Sequence, residues 1–328
     1  MDYRSLGNTG LRVSALGYGS GAIGGLFVRG DPEEQRRAAA RALDAGITYF
    51  DTAPSYGDGR SETNLGRVFR DLAAWGRVVV GTKVRLRPAD LRNPKDAVLR
   101  SATESLKRLG RDSIDLLQLH NPVRADGGAT GGNALDLGTV LGEVADGLHE
   151  ASRQGLAAHV GLTGLGEAAP LLAVIGSGRF ATIQTYFNAL NPSAGFAGAS
   201  GGGQDFGGLI DAAAAAAMGV IAIRVMAAGA VSGAPERHAN AGDPGDPLAR
   251  GAEYNRDLER ARGLVALARE VGVEGPLELA LRFALAKPAV STVLVGYSDL
   301  AQLEDAIRWT ARGPLPPDAV NRTLAVAR

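Results

Sequence analysis

Short β-branched and apolar runs alternate with amphipathic stretches about eight times along the chain, and this alternation constrains the fold more than any other feature. It is typical of a parallel sheet whose strands are connected by helices. Continuous apolar runs such as Val78-Val79-Val80 indicate strands that are covered on both faces. The predicted strands are residues 13–17, 47–51, 78–84, 114–120, 158–162, 181–185, 220–225 and 290–295.

Helix start and stop signals separate these predicted strands. In Asp31-Pro32-Glu33-Glu34 an N-cap residue precedes a proline and two acidic residues, and Gly46 ends the helix. Similar signals predict helices over residues 94–109, 137–154, 166–177, 209–218, 256–271, 276–286 and 300–310. The alternation predicts an α/β fold, a (β/α)8 TIM barrel, as a single domain over residues 1–328.

Three segments lie outside this alternation. Residues 4–6 and 10–12 flank Gly7-Asn8-Thr9 and predict a β-hairpin before the barrel. Residues 191–208 are rich in glycine, alanine and serine, and residues 228–252 are rich in glycine, proline and aspartate. Both follow predicted strands, so we expect long loops over the C-terminal face of the barrel, either as plain linkers or as walls of a substrate pocket.

Charge and composition exclude several classes of partner. The 35 basic and 35 acidic side chains balance, so no overall field attracts nucleic acid or an anionic membrane. The absence of cysteine excludes disulfides and thiolate chemistry, and no window approaches the ~20 apolar residues of a membrane span. Because the N-terminal residues lack a secretory signal, we expect a cytoplasmic protein whose partners are small molecules.

Four polar residues fall at the C-terminal ends of predicted strands or in the adjoining loop, where a closed parallel barrel carries out its chemistry. Asp51 ends the second strand, Tyr56 follows it, Lys83 lies in the third strand and His120 ends the fourth. Each alone has an ordinary explanation, such as a turn former, a packing ring or a structural histidine. Lys83, however, needs a counter-charge, because desolvating an unpaired ammonium costs several kcal/mol, and Asp51 is one strand away.

Together these side chains suit proton transfer to oxygen. Free tyrosine has a pKa near ~10, and a nearby cation lowers it, so we expect Lys83, held by Asp51, to make Tyr56 a usable acid. His120 would donate a hydrogen bond to an oxygen bound beside Tyr56. The set lacks a nucleophile, and the other histidines show no metal-ligand spacing. Proton transfer to oxygen is half of a redox reaction, so the hydride must come from a cofactor.

The chain resembles the aldo-keto reductase superfamily along nearly its whole length. The most specific motif is Phe50-Asp51-Thr52-Ala53-Pro54-Ser55-Tyr56-Gly57, and Gly81-Thr82-Lys83 and Leu119-His120 follow at the expected spacing. The resemblance implies a catalytic tetrad of Asp51, Tyr56, Lys83 and His120, with Tyr56 as general acid. It also implies an NAD(P)(H)-dependent oxidoreductase that interconverts an alcohol and a carbonyl, in an aldehyde, ketone or sugar lactol or lactone.

The resemblance also implies which residues hold the nicotinamide. They are Gly19, Ser20 and Asp51 at strand ends, Thr163, and Gln184, which would bind the carboxamide. Thr163 replaces the serine of the family's serine–asparagine pair, and Gly164 cannot supply the asparagine amide. Ile223 stands where relatives stack an aromatic ring. It is followed by a pyrophosphate-binding loop that contains Arg224, Met226, Ala227 and Gly229.

A last cofactor motif follows the eighth strand and begins at Gly296. Ser298 and Gln302 match positions that bind the adenosine phosphate, and Asp305 is a shortened match to an adenine-binding glutamate. No cation adjoins them, although a 2′-phosphate normally needs one. We expect NADP(H), by a narrow margin, with NAD(H) as the alternative, in which case Asp299 would repel the extra phosphate.

The long loops predict a roomy, partly polar substrate pocket. The candidate substrate-binding residues are Tyr56, His120, Asn121, Phe187 and Arg224. The alternative to an enzyme is a cofactor-binding regulatory or accessory protein of the same fold, and the resemblance implies a monomer.

One motif competes with this interpretation. The stretch Gly19-Ser20-Gly21-Ala22-Ile23-Gly24 satisfies the dinucleotide-binding pattern G-x-G-x-x-G. A Rossmann helix would open inside the glycines, whereas the next predicted helix begins only at Asp31, so the pattern is weak support for a Rossmann domain.

Overall fold

The strands of the computed structural model, which describes residues 1–127, 132–245, 248 and 253–327, form two sheets. A hairpin consists of β1 (Tyr3–Ser5) and β2 (Arg12–Ser14), which pair antiparallel. The others are β3 (Leu16–Gly19), β4 (Tyr49–Asp51), β5 (Val79–Val84), β6 (Ile114–Leu119), β7 (Ala157–Gly164), β8 (Thr182–Tyr186), β9 (Gly219–Ile223) and β10 (Thr292–Gly296). These pair in parallel and close into a barrel in the order β10-β3-β4-β5-β6-β7-β8-β9.

Helices connect and flank the barrel strands. They are α1 (Leu26–Arg29), α2 (Pro32–Asp44), α3 (Arg60–Asp71), α4 (Pro94–Leu109), α5 (Leu137–Thr139), α6 (Ala145–Arg153), α7 (Ala168–Gly176), α8 (Leu209–Ala215), α9 (Tyr254–Glu270), α10 (Pro276–Leu285), α11 (Leu300–Ala311) and α12 (Pro317–Val326). The predicted (β/α)8 TIM barrel with an N-terminal hairpin is confirmed. Within the described ranges, no helix has both the length and the apolarity needed to cross a membrane.

Three details differ from the prediction. Val13 belongs to the hairpin, so the first barrel strand starts at Leu16. The helix predicted over residues 137–154 is interrupted at Gly142, whose φ of −90° and ψ of −118° are not helical. The helices α1, α3 and α12 are absent from the prediction. None of them begins with a side-chain N-cap, α1 spans only four residues, and the buried face of α3 carries the polar Ser61 and Glu62.

Both predicted long loops follow the C-terminal ends of strands. Residues 191–208 connect β8 to α8. The segment after β9 contains a short 3-10 stretch (Ala227–Ser232) and leads to α9. Of the predicted loop over residues 228–252, residues 246, 247 and 249–252 lie outside the described residues.

Glycines inside the barrel make room for large side chains from neighbouring strands, as expected where alternate strands fill each layer of the core. A Cβ on Gly81 in β5 would lie 2.6 Å from the hydroxyl oxygen of Tyr49 in β4. Tyr49 is therefore accommodated fully buried within the barrel. Its hydroxyl lies 3.4 Å from a carboxylate oxygen of Asp51, so the packing of the barrel interior helps to position that carboxylate.

Candidate active site

The structure brings the predicted tetrad together at the C-terminal mouth of the barrel. Asp51 is the last residue of β4, Lys83 lies near the end of β5, and His120 directly follows β6. The parallel register places Asp51 beside Gly81 and Lys83 beside Gln118, which aligns the strand ends.

Tyr56 reaches this mouth on a tight turn. Gly57, Asp58 and Gly59 all have φ between 54° and 84°, and this left-handed run turns the chain into α3. Ser61 in the first turn of α3 donates to the Ser20 carbonyl at 2.9 Å and is hydrogen-bonded to the Thr52 hydroxyl at 2.8 Å. The start of α3 is thereby tied to the ends of two barrel strands.

Lys83 is the centre of the site. Its side chain is 1% exposed and its ammonium donates to Asp51 Oδ1, to the Thr52 carbonyl at 2.8 Å and to the Tyr56 hydroxyl at 3.2 Å. Burial alone would lower the pKa of Lys83, but Asp51 and Tyr56 together raise it above its ordinary value. Lys83 is therefore a fixed cation at neutral pH.

The second carboxylate oxygen of Asp51 accepts hydrogen bonds from neutral groups. The donors to Oδ2 are Tyr49 at 3.4 Å, Gln118 at 3.3 Å and Gln184 at 2.5 Å. Tyr49 and Gln118 are absent from the predicted site. A signal for them exists, because each lies two residues before a tetrad member, Asp51 or His120, and side chains two apart on a strand share a face.

His120 lies beside Tyr56 as a neutral ring. The two ring centroids are 5.9 Å apart and the planes meet at 86°. Burial, with smaller contributions from Lys83 and Arg85, holds the pKa of His120 well below its ordinary value of 6.5. Its Nδ1 atom is buried without a hydrogen-bond partner in the described part of the chain. A neutral imidazole can donate one N–H to a bound oxygen and cannot act as a cation there.

The pKa of Tyr56 differs from the sequence expectation. Lys83 does lower it, but burial raises it more, and Asp51 adds to the increase, so the net pKa lies above the ordinary 10.0. The expectation of a lowered value was wrong in net sign, because neighbouring charge can be inferred from sequence whereas the extent of desolvation cannot. Tyr56 is therefore fully protonated at neutral pH.

The residues expected around a nicotinamide suit it unevenly. The Ser20 hydroxyl oxygen is buried and lacks a hydrogen-bond partner among the described residues, so it is available to a ligand. Thr163 donates to the Leu119 carbonyl at 3.0 Å, and Gln184 already donates to Asp51. A Cβ on Gly164 would lie 2.9 Å from the Gln184 carbonyl oxygen, so the asparagine expected from the family would need a shift of β8. Among these three residues, Ser20 therefore has a free hydroxyl for a nicotinamide, whereas Thr163 and Gln184 already donate hydrogen bonds within the protein.

The segment after β9, which begins after Ile223, is strained where the resemblance implies a pyrophosphate-binding loop. Arg224, Ala227 and Ala228 have φ of 58°, 44° and 58°, in the left-handed region that such residues rarely adopt. Gly229 follows with φ of 103°. Strain of this kind persists where the surroundings hold it and is concentrated at ligand sites.

The adenosine-side residues contact one another. Ser298 Oγ donates to the Gly24 carbonyl at 2.7 Å, and the Gln302 side-chain oxygen accepts from the Ser298 backbone N–H at 2.9 Å. Gly296 ends β10 just before them. Asp305 lies on α11 and pairs with Arg308 at 2.8 Å. Ser298 and Gln302 thus lie together, while the Asp305 carboxylate is occupied by an arginine.

Two of the predicted substrate-binding residues have packing functions instead. The Asn121 side chain is fully buried and donates to the carbonyls of Leu86 at 2.8 Å and Asn133 at 2.6 Å. Phe187 is also fully buried and stacks on Phe283 with centroids 5.5 Å apart. We therefore leave Asn121 and Phe187 out of the proposed site, since sequence position alone did not reveal their burial.

A separate cavity of about 540 Å³ lies beside the loop over residues 191–208. Its walls come from that loop, from the start of α7 and from the start of α9, and they carry Glu167, Asp205, Glu253 and Arg256. No tetrad residue lines it, so this cavity is distinct from the tetrad.

Comparisons with known proteins agree with this geometry. The model of the Aldo/keto reductase family matches residues 15–328. L-galactose dehydrogenase from Arabidopsis thaliana is 28% identical over 320 residues, which is 94% of this chain and 87% of that protein. Aldo-keto reductase YhdN from Bacillus subtilis (strain 168) is 38% identical over 130 residues, so the match covers 37% of this chain and only 38% of YhdN.

A solved structure shares the fold. It is that of the aldo-keto reductase AKR11C1 from Bacillus halodurans in its holo form, with a TM-score of 0.74 and 23% identity, covering 100% of this chain and 97% of that one. The closed barrel and its family match define an oxidoreductase of the TIM-barrel class. The chain belongs to the aldo/keto reductase family, whose members generally use a nicotinamide nucleotide.

Proposed function

We propose that this protein is an NAD(P)(H)-dependent oxidoreductase that interconverts a carbonyl and an alcohol, with Tyr56 as the general acid and base. The observation that carries the proposal is the position of the Lys83 ammonium, which is hydrogen-bonded to both Asp51 and the Tyr56 hydroxyl, with the neutral His120 alongside. In this proposal, Tyr56 is the proton donor and His120 the second hydrogen-bond donor to the carbonyl oxygen of the substrate.

Each residue has a defined task in this proposal. In reduction, the Tyr56 hydroxyl donates its proton to the substrate oxygen, and the Lys83 ammonium stabilises the resulting phenolate. Lys83 needs no movement during this step, because Asp51 and the Thr52 carbonyl hold it 3.2 Å from the Tyr56 oxygen. His120 donates to the same substrate oxygen and orients it. A bound nicotinamide nucleotide would supply or accept the hydride.

We propose that NADP(H) is the preferred cofactor, with NAD(H) as the alternative. The candidate residues at its nicotinamide end are Gly19, Ser20, Asp51, Thr163, Gln184 and Ile223. Those along the rest of the nucleotide are Met226, Ala227, Gly229, Gly296, Ser298 and Gln302. The unpartnered Ser20 hydroxyl and the strained segment after β9 support this assignment. Titration with NADPH and NADH distinguishes the two nucleotides.

The proposed substrate is an aldehyde, a ketone or a sugar lactol or lactone of some bulk. One relative is named for the sugar L-galactose, which supports a polyhydroxylated compound. Gly21 supports a bulky substrate. A Cβ added to Gly21 would lie 3.6 Å from the Tyr56 ring, which is an ordinary contact distance, so there is space beside the proposed proton donor. A single catalytic domain, a monomeric state and a cytoplasmic location stay predictions.

The test is nicotinamide absorbance with a panel of carbonyls and alcohols. We expect Tyr56→Phe to lower kcat by about 10²–10⁴-fold, because the hydroxyl transfers the proton, and to change the Kd of the nucleotide by less than about threefold. Tyr3→Phe is the matched control, since Tyr3 is 43% exposed in the hairpin. Full activity of Tyr56→Phe, or loss of its nucleotide binding, would contradict the proposal. Tight nucleotide binding without any turnover would favour a regulatory or accessory protein.

A further inference from the structure

Arg224 has an unusual backbone conformation directly after β9. Its φ of 58° is in the left-handed region, and its carbonyl accepts hydrogen bonds from the Asn188 side chain at 3.1 Å and the Ala227 N–H at 2.8 Å. The backbone is therefore held in a conformation that arginine rarely adopts. This conformation fixes where the side chain begins at the barrel mouth.

The Arg224 guanidinium is partly buried and poorly paired. It donates one long hydrogen bond, from Nη1 to the Pro244 carbonyl at 3.3 Å, although a guanidinium carries several N–H donors. No carboxylate of the described ranges forms an ion pair with it, and a second cation, Arg237, bears on its charge. Burial lowers the pKa of Arg224, as expected for a cation without a counter-charge.

Partly buried arginines elsewhere in the described chain are paired more fully. Arg4 donates two hydrogen bonds to backbone carbonyls, at 2.7 and 3.0 Å, and two others have carboxylate partners. Arg108 contacts the fully buried Glu62 at 2.6 Å, and Arg282 contacts the fully buried Glu278 at 2.8 Å. Burying a charge is costly unless it is paired, so an unpaired guanidinium at a barrel mouth is suited to an anionic ligand.

The Arg224 charge acts on the side of the mouth where the proton donor lies. Its positive charge offsets a small part of the rise that burial causes in the pKa of the Tyr56 and Tyr186 hydroxyls. Strand register agrees, because Tyr186 pairs with Ile223, the residue before Arg224. Arg224 directly follows β9 and Tyr56 follows β4, so a ligand at Tyr56 lies at the same mouth of the barrel as the guanidinium.

We propose that Arg224 binds an anionic group of the substrate, a carboxylate or a phosphate, so that the protein acts on carbonyl compounds that carry a negative charge. The inference rests on the proposed function and specifies its substrate class. A guanidinium binds either anion through paired charge-assisted hydrogen bonds. The diphosphate of the nucleotide is the other source of such an anion, and the experiment separates the two sources.

The experiment compares two isosteric aldehydes, anionic 4-formylbenzoate and neutral 4-formylbenzamide. We expect the wild type to prefer the anion, and Arg224→Gln to lower kcat/KM for the anion by about 30-fold, the effect of losing a hydrogen bond to a charged group. The value for the neutral aldehyde should fall by a much smaller factor, so the ratio of the two values measures the contribution of the guanidinium charge. Arg224→Lys, which keeps the charge, should retain part of the preference.

Arg85→Gln is the control for simple electrostatic attraction. Arg85 is exposed at the same mouth and its charge bears on His120, so this variant removes a comparable but solvated charge. We expect it to change the preference by less than about threefold, because exposed charges are screened. Equal effects of Arg85→Gln and Arg224→Gln would overturn the assignment to Arg224.

Binding without turnover separates this inference from the proposed function. Calorimetry of the NADPH-bound protein with unreactive benzoate and benzamide should show a benzoate preference that Arg224→Gln removes, even if neither aldehyde is reduced. Turnover of neither aldehyde would count against the proposed function alone. An unchanged preference for benzoate in Arg224→Gln would overturn the inference. If the Kd of NADPH also rises tenfold in that variant, Arg224 is assigned to the diphosphate of the nucleotide instead.

Discussion

Two cations at the mouth of one barrel differ in how their burial is compensated. Lys83, near the end of β5, contacts a carboxylate, a carbonyl and a tyrosine hydroxyl. Arg224, after β9, makes one long hydrogen bond to a carbonyl and has no carboxylate partner within the described ranges. The paired cation belongs to the proposed proton-transfer site, whereas the unpaired one is the cation that we propose binds an anionic ligand.

The pKa shifts of the two cations follow this difference. Both groups are penalised by burial, yet the pKa of Lys83 is raised by Asp51 and Tyr56, and that of Arg224 is lowered. For these two cations, the presence of a counter-charge, more than the degree of burial, decides whether the charge is compensated within the protein or is left to a ligand.

The largest effect is expected at Lys83. Lys83→Met removes the counter-charge of Asp51, and leaving a buried charge unpaired costs about 3–5 kcal/mol of unfolding free energy. We also expect kcat to fall by about 10³-fold or more, because Tyr56 loses its phenolate-stabilising cation. Urea unfolding and steady-state kinetics measure the two effects. Adding Asp51→Asn should recover most of the stability and none of the activity. A Lys83→Met protein as stable as the wild type would contradict the view that Lys83 compensates the buried charge of Asp51.

A change of opposite sign is expected at Arg224. Arg224→Met keeps the length of the side chain and removes a charge without a counter-charge, so the free energy of unfolding should stay the same or rise by up to about 2 kcal/mol. The same urea unfolding assay, without added anions, checks this. A loss comparable to that of Lys83→Met would show that Arg224 has a compensating partner in the folded protein.

The smallest effect is expected at Tyr49, and it tests whether the Tyr49 hydroxyl helps to stabilise the Asp51 carboxylate. Tyr49→Phe removes one neutral donor, at 3.4 Å, from a carboxylate oxygen that keeps Gln118 and Gln184. We expect a loss of about 0.5–1.5 kcal/mol in unfolding free energy and a few-fold decrease in kcat.

Tyr297→Phe is the matched control for this variant. Its hydroxyl is buried without a hydrogen-bond partner among the residues described, so its removal should be neutral or stabilising. If the two phenylalanine variants behave alike, the Tyr49 hydroxyl does not stabilise Asp51.

Sequence periodicity predicted the barrel and the strand ends well, because buried parallel strands and capped helices have distinct patterns. It also placed Asp51, Lys83 and His120 at one mouth, since parallel strands align their C-terminal ends. The donors Tyr49 and Gln118 were missed although their spacing puts them on the same strand faces, because large polar residues inside a barrel are uncommon there.

Burial was the main quantity that the sequence did not reveal. Asn121 and Phe187 follow strands, as substrate-binding residues would. In the structure, however, both are buried: the Asn121 side chain is hydrogen-bonded to backbone carbonyls, and the Phe187 ring packs against Phe283. The same limitation reversed the net pKa shift of Tyr56, because desolvation depends on tertiary packing that local spacing does not encode.

The most direct test of the central claim is the pH dependence of kcat for carbonyl reduction. A general acid is active only while it is protonated, and the pKa of Tyr56 lies above its ordinary value of 10.0. The rate of reduction should therefore decrease only when the pH rises above that value. His120 stays neutral because its pKa is depressed below 6.5, so it adds no inflection at that pH. We therefore predict a level profile between about pH 7 and 9, with an alkaline decrease that is absent from the residual activity of Tyr56→Phe. A midpoint near neutral pH, or the same alkaline decrease in Tyr56→Phe, would contradict the assignment of Tyr56 as the proton donor.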